Sequence, residues 1–582
     1  MKSEFENNNL IRKGNANIMK IPRSEHPKPQ FMRESWQNLN GKWRFSIDGG
    51  RSGVARGMHL ETGESGYDKT ITVPFSPESV LSGVNIKDFM ECVWYRRTFD
   101  VTEKIGRVIL HFGACDYKTT VWINGKEVGY HIGGYVSFSF DITEYVKDGE
   151  NLLVVRAEDY QRSGNQPSGK QCSAYNSERC SYTRTTGIWQ TVWLEFVPNA
   201  YIKSVRMTPN CENSSLLIDA YCYNADGMTL SATATFKGEP VGSGCAVVRG
   251  RNAIIDLKLS KLRLWDVEHP NLYDVVFTLG DDKVKSYFGM REVSYENGRF
   301  RLNGKSVFQR LVLDQGFYPD GIITAPSDKA MINDIKLAKS FGFNGARLHQ
   351  KIFEERFLYH CDKLGYLVWG EHASWGLDTS KPTAWQGFIP EWTEEVNRDY
   401  NHPSIIGWCP LNESSKYQSR EFVHYLVDLT HSLDRTRPCI DASGWWHEGT
   451  SDIFDYHETE RDYDALHMRY DPLMRGEDID LPKSYPGKPV FISEMGAIWL
   501  IEPGGPEWCV REKMAADTDD LVRQIKTTCE TFMNNSTIWG FCFTQFTDVE
   551  QEKNGICRYN RVPKVDPEKI KAILTQKAAV ED

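Results

Sequence analysis

Residues 405–414 read Ile405-Ile406-Gly407-Trp408-Cys409-Pro410-Leu411-Asn412-Glu413-Ser414. An apolar run of strand length stops abruptly at a polar pair. A run without alternation fits a strand covered on both faces, as in a parallel sheet. Working outward, the pattern recurs. Apolar runs at Val307–Leu313, Asn344–Leu348, Tyr366–Gly370, Ile405–Leu411, Cys439–Asp441, Ile453–His457, Val490–Ser493 and Trp539–Thr544 alternate with amphipathic stretches. The clearest of these are Ser327–Phe341, Ile352–Leu364, Glu421–Leu433 and Asp519–Met533. Eight such units predict a (β/α)8 TIM barrel over residues 295–582.

Chemistry on such a barrel collects where strands end. Here the strand ends carry Asp314-Gln315, Arg347-Leu348-His349-Gln350-Lys351, Glu371-His372, Asn412-Glu413, Asp455-Tyr456-His457, Glu494 and Thr544-Gln545. Glu413 and Glu494 each follow an apolar strand directly, at strands 4 and 7. They can therefore face each other across a bound sugar. Glycoside hydrolysis needs such a pair, one carboxyl protonating the leaving oxygen and the other attacking the anomeric carbon. A gap of about 5 Å means retention, and about 6.5–9.5 Å inversion. The competing reading is that both are buried ion-pair partners of Arg347 or Lys351. Asn412, Arg347, His349, Gln350, Asp314, Glu371, His457 and Gln545 are the candidate substrate contacts. Trp375, Trp385, Trp445 and Trp446 lie in βα loops as candidate sugar platforms.

Upstream, residues 21–198 read as all-β, with short runs at Lys42–Ile47, Trp94–Val101, Arg107–Phe112, Thr119–Ile123, Val136–Phe140 and Leu152–Ala157. Asn124-Gly125 is a hairpin-turn signal. A jelly-roll β-sandwich is expected. Residues 159–187 form a long aperiodic stretch containing Arg162, Lys170, Tyr175, Arg179, Tyr182 and Arg184, expected to reach the barrel mouth and close its leaving-group side. Residues 199–294 carry further short strands that fit an immunoglobulin-like β-sandwich. Residues 1–20 read as a polar tail.

A net charge of −10 without a basic stripe argues against nucleic acid. No run approaches the roughly 20 apolar residues of a membrane span. The first residues lack the apolar core of a signal peptide, so a cytoplasmic location is expected. The 14 cysteines show no framework and read as free thiols, although Cys172 and Cys180 share a loop. His447-Glu448 and His457-Glu458 lack the second histidine of HExxH, and no G-x-S-x-G elbow is present. Asn535-Ser536-Thr537 matches a glycosylation acceptor but is given no role. No cofactor and no metal are expected. The partner is a glycoside or oligosaccharide, and a homo-oligomer is compatible with the sequence.

The chain resembles glycoside hydrolase family 2. Asn401-His402-Pro403-Ser404 leading into Asn412-Glu413-Ser414 is similar to the family's acid/base motif. Pro489-Val490-Phe491-Ile492-Ser493-Glu494-Met495-Gly496 is similar to its nucleophile motif. Leu39-Asn40-Gly41-Lys42-Trp43, Trp94-Tyr95-Arg96-Arg97, Trp122-Ile123-Asn124-Gly125 and Gly187-Ile188-Trp189 resemble its N-terminal domain. Phe288-Gly289-Met290-Arg291 resembles its immunoglobulin-like domain, and Phe300-Arg301-Leu302-Asn303-Gly304-Lys305 the barrel entry. The resemblance implies Glu413 as acid/base and Glu494 as nucleophile. It also implies Asn412 on the sugar 2-hydroxyl and Arg347 tuning Glu494. The charge on Glu494 is expected to raise the Glu413 pKa.

The departures mark a divergent subgroup. Gln350 stands where many members have His, and Asp314-Gln315 replaces an Asn-Arg-His run. Tyr456 or His457 replaces a tyrosine, and Gln545 takes the place of a strand-8 Trp. Glucuronide-selective members carry Asn-x-Lys before Gly-Ile, whereas Glu552-Lys553-Asn554 precedes Gly555-Ile556 here. A glucuronide is therefore disfavoured, unless Lys351 holds the uronate. The chain is expected to end after the barrel. The expected activity is a retaining exo-glycosidase, β-galactosidase-like. The alternatives are an arabinoside, a galactofuranoside or a uronate by the same mechanism, or a non-catalytic carbohydrate-binding protein.

Overall fold

The computed structural model describes residues 21–102, 106–295, 298–477, 479, 488–501 and 514–581. The first block is a sandwich of a four-stranded and a six-stranded antiparallel sheet. Inward residues such as Trp43, Phe45, Val93, Tyr95, Leu110, Leu153 and Leu194 make its core. The strand Lys118–Ile123 turns into Lys126–Ile132 through Asn124 and Gly125, at φ 51° and 78°. Those left-handed values suit the right-handed twist of a tight hairpin. The second block pairs a three-stranded with a four-stranded sheet. Strict alternation of buried and exposed residues along Asn252–Lys258 shows one face packed and one in water.

The third block is a parallel sheet of seven strands: Gln309–Asp314, Gly345–Leu348, Leu367–Glu371, Ile405–Cys409, Phe454–Glu458, Val490–Gly496 and Ile538–Thr544. Packing sorts the strand side chains into two sets. Leu311, Leu313, Trp369, Ile406, Cys409, Phe491, Trp539 and Cys542 fill the barrel interior. Val312, Ala346, Val368, Trp408, Ile492 and Phe543 pack outward with the helices. Two glycines admit the large interior and outer rings. A Cβ on Gly407 would lie 2.4 Å from the Trp369 ring, and one on Gly370 2.7 Å from that of Trp408.

The expected fifth strand, Cys439–Asp441, is not a regular strand. Residues 438–443 touch the fourth strand only through isolated bridges, Trp408 to Cys439 and Asn412 to Ser443. Pro438 offers no N–H there. Asp441 bends the chain by accepting the Ala442 and Glu448 N–H groups. Around the barrel run α1 (Asp328–Ser340), α2 (Glu355–Leu364), α3 (Pro382–Asp399), α4 (Arg420–Leu433), α5 (Tyr463–Met474), α6 (Thr518–Met533) and α7 (Pro567–Leu574). Three of these lay outside the helices expected from sequence. In α3 and α5, Pro390 and Pro472 interrupt the pattern; α7 is only 8 residues long.

Both sandwiches contact the barrel. The second holds the entry side of the fourth strand, with Arg291 donating to the Pro403 and Ile405 carbonyls. The first reaches the α3 side, where Tyr135 N donates to Glu391 at 2.7 Å. Arg33 ties the sandwiches together by pairing with Glu195 of one and Asp282 of the other. Cys172 and Cys180 are not bridged.

Candidate active site

Glu413 leaves the fourth strand in the left-handed region, at φ 47°. Its N–H donates to the Ser443 carbonyl at 2.6 Å, which holds that unusual turn. Glu494 sits within the Val490–Gly496 strand, where register slips between Ile492 and Met495. A bulge of this kind re-aims a side chain at a barrel rim. One oxygen of each carboxylate lies within 4.8 Å of the other.

Arg347, 1% exposed, organises the floor. Its guanidinium donates to Glu371 Oε2 at 2.6 Å, Glu494 Oε1 at 3.0 Å, the Ser493 carbonyl at 3.1 Å and Asn412 Oδ1 at 2.6 Å. A planar fork can hold four acceptors at once, which an ammonium cannot. Burial pushes the Glu371 carboxyl up, against the pull of Arg347. His349 Nδ1 lies 3.0 Å from Glu371, and burial holds its imidazole well below the ordinary range. Asn412 Nδ2 is buried with no partner among the described residues, which leaves a donor for a bound hydroxyl.

His457, rather than Tyr456, enters the site. Its Nδ1 is 2.9 Å from Glu413 Oε1, its Nε2 2.9 Å from Ser443 Oγ and 3.6 Å from Glu494 Oε1. Tyr456 instead lies beside Glu458 and Arg469. Burial raises the Glu413 carboxyl, but the combined pull of His457, Lys170 and Arg347 turns the net direction down. That reverses the expectation that Glu494 would hold Glu413 up. His457, Glu413 and Glu494 are close enough to share a cation. Each is already engaged, Glu494 with Arg347 and Glu413 with His457.

Several expected contacts belong to the framework. Asp314 shares the outward parity of Val312; its charge neighbours are Asp334 of α1, Arg561 and Lys351, and it accepts the Gly316 N–H. It faces the helix layer and not the mouth. The Gln350 amide is committed to Ser374, Glu371 and the Trp375 N–H. Gln545 is likewise committed, donating to Asn554 and accepting from Gln315. Lys351 donates to the Gly316 and Ile323 carbonyls, away from the mouth, with burial lowering it to about 8.

The 159–187 stretch does reach the mouth. Ser168 and Gly169 donate to the Trp375 carbonyl, and Tyr182 OH donates to Glu552. A Cβ on Gly169 would meet the Gln350 carbonyl at 2.3 Å, so only glycine permits this approach. Lys170, 6% exposed, sets its ammonium 4.0 Å from the Trp375 ring centroid. That occupies one face of Trp375, whose Nε1 donates to the Asn412 carbonyl. Trp385 stacks on Phe422 of α4, and Trp446 bonds Glu448. Trp445, 44% exposed and bonded to the His457 carbonyl, remains the open platform. A cleft beside Glu413 is lined by Trp375, Asp378, Asn412, Tyr417 and Gln418. Ser443 and Ser493 lie at the candidate site and were not singled out by sequence reasoning, and Lys170 was named there only as one residue of the long loop. Only the unusual length of the loop pointed toward Lys170.

Three family profiles match the chain in series. They are the sugar binding domain of glycosyl hydrolases family 2 at residues 36–198, glycosyl hydrolases family 2 at 200–291 and the family 2 TIM barrel domain at 296–575. A putative beta-glucuronidase of Formosa agariphila is 29% identical over 460 residues, 72% of this chain and 52% of that protein. A beta-galactosidase of Thermoanaerobacter pseudethanolicus is 27% identical, over 60% of this chain and 48% of that protein. The chain thus spans about half the length of these curated relatives. Among solved structures, a beta-galacturonidase from Eisenbergiella tayi bound to galacturonate shares the fold at TM-score 0.75 and 22% identity, covering 95% of this chain and 99% of that one. A Ruminococcus gnavus beta-glucuronidase in complex with glucuronic acid does so at 0.78 and 18%, covering 95% and 100%.

Proposed function

Because the chain belongs to glycosyl hydrolases family 2, we propose that it removes a terminal non-reducing sugar with retention, by double displacement through a covalent glycosyl-enzyme. The observation that carries this reading is the short gap between Glu413 and Glu494, within 4.8 Å. Retaining enzymes keep their carboxyls about 5–5.5 Å apart, too close for an intervening water. The asymmetry of partners supports a division of roles. Glu494, held by the Arg347 guanidinium, is positioned to attack the anomeric carbon. Glu413, bonded to His457, protonates the departing oxygen. Asn412 Nδ2 is the donor for the neighbouring sugar hydroxyl. Once Glu494 is esterified, Glu413 takes a proton from the incoming water, which releases the sugar.

A β-galactosidase-like specificity is the leading reading. A second, a uronide, is favoured by Lys170. Its ammonium has no carboxylate within 4.0 Å among the described residues, yet it stands at the mouth. A substrate carboxylate would supply the missing anion. Relatives of both kinds are named above. No helix among the described residues is long and apolar enough to cross a membrane.

The test is a panel of aryl galactosides, glucosides, mannosides, uronides, arabinosides and galactofuranosides, assayed with wild type and with Glu494→Ala plus azide. Turnover of one member by wild type, and a glycosyl azide of inverted configuration from the variant, support the reading. If wild type binds sugars but hydrolyses none, the chain is a carbohydrate-binding protein. A preference for uronides that Lys170→Met abolishes would select the second reading.

A further inference from the structure

A line of hydrogen bonds runs from the buried core below the mouth up to Glu413, and its polarity can be read one proton at a time. At its base, His447 faces two acceptors, Asp441 Oδ1 at 2.8 Å and the Asp455 carbonyl at 2.9 Å. Neither has a hydrogen to give, so His447 carries both of its own. Its proton affinity accordingly rises to about 9. Asp455 Oδ2 accepts from Gly444 N and from Ser493 Oγ. The one hydroxyl hydrogen of Ser493 is thereby committed. The 3.1 Å bond between Ser493 Oγ and Ser443 Oγ must use the hydrogen of Ser443. Ser443 has then nothing left to donate, and the 2.9 Å bond to His457 Nε2 requires the hydrogen to be on Nε2. Glu494 Oε1, 3.6 Å from the same nitrogen, favours that arrangement electrostatically.

We propose that this line fixes His457 in the Nε2–H form, so that His457 Nδ1 and Glu413 Oε1 share one proton and act as a two-residue acid. His457 is a positioning residue for proton transfer, acting through Glu413. The proposal rests on Glu413 being the acid/base. Before the first step the proton bridges Nδ1 and Oε1 over 2.9 Å. As the glycosidic bond breaks, that proton leaves the pair from Glu413 and forms the O–H of the departing alcohol. The pair is left as a Glu413 carboxylate and a neutral His457, while the electron pair of Glu494 forms the ester. Water returns one proton to the pair in the second step. Two sites competing for one proton hold it more tightly than either alone. The charges around His457 come from Glu413, Glu494, Glu371, Arg347 and Lys170, and Trp445 presents a ring edge to it. His349 also senses it.

Nitrogen-15 NMR of histidine-labelled full-length chain reads the tautomer directly, with His457→Gln assigning the signal. We expect a hydrogen on Nε2 throughout pH 5–9, and loss of that preference in Ser443→Ala. A bare Nε2 in the wild type overturns the proposal. Kinetics supply the second arm, on whichever aryl glycoside is turned over. Loss of general-acid help falls on poor leaving groups. In His457→Gln the loss on the 4-methylphenyl glycoside should exceed that on the 2,4-dinitrophenyl glycoside by about 100-fold. The alkaline limb of the pH profile should move down by about one unit. Equal losses with an unmoved limb overturn the proposal. If no glycoside is hydrolysed, the glycosidase reading fails, while the NMR still decides the tautomer.

Discussion

Arg347 shows how much one side chain can hold. It joins Glu371 and Glu494 of two different strands to Asn412, which follows a third. Replacing it by Met would leave Glu371 charged and unpaired in a site where that carboxyl is 1% exposed. Removing one partner of such a pair costs about 3–5 kcal/mol. Arg347→Met should therefore melt earlier by calorimetry as well as lose turnover. Arg347→Lys keeps the charge but not the fork, and should recover stability more than kcat. His447 offers a pH signature. Its folded pKa lies above the usual histidine value, raised by Asp455 and Asp441 against burial. The stability it contributes is complete below about 6.5, the ordinary value, and is lost as pH climbs through about 9. Denaturant midpoints of wild type should fall between pH 7 and 9.5, and those of His447→Gln should be flatter. At this scale the nearness of Glu413 and Glu494 was readable because each follows an apolar run. The structure turns Asp314 toward the helices and bonds the amides of Gln350 and Gln545 to neighbouring side chains, which the sequence did not show. A strand end reports that a residue is near the mouth, but not which way it points or what already holds its amide.

At the scale of elements, periodicity located the strands and the four regular helices, and it failed where a local hydrogen bond competed with it. The stretch 438–443 carries strand-like residues, yet Asp441 draws the backbone into turns through Ala442 and Glu448. In α3 the pattern is broken by Gly387 and Pro390, while burial of Phe388, Trp392 and Val396 holds the helix together. Helix α4 begins at Ser419, whose side chain accepts the Phe422 N–H. Ser419→Ala should cost about 1 kcal/mol, visible in chemical denaturation. The long loop behaves as an element of its own, pinned at Gly169 against the Gln350 carbonyl. Gly169→Ala must lift that contact, since the residue also sits at φ 54°. We expect KM to rise at least tenfold with little change in melting temperature. Unaltered KM would mean that the loop has no part in closing the site.

For the whole molecule, the order of two sandwiches and a barrel follows from where the sequence changes period, from two to strand–helix alternation near residue 300. How the three bodies meet was not visible in that pattern, because it depends on isolated charges. Arg33 is the example, with Glu195 on one sandwich and Asp282 on the other. Arg33→Met should leave two buried carboxylates without their cation and separate one calorimetric transition into two. A single, unshifted transition would show that apolar contact alone holds the sandwiches together.

The placement of Lys170 has a historical consequence. Part of the candidate site is written in the sugar-binding-domain module of the gene and the rest in the barrel module. Recombination that exchanged either module for that of a distant relative would hand the barrel a mismatched lid. Change in what the enzyme accepts is therefore confined to paths in which both modules drift together. A lineage acquiring a new preference should record it as paired substitutions at residues 168–172 and 373–375, far apart in the gene and in touch in the protein.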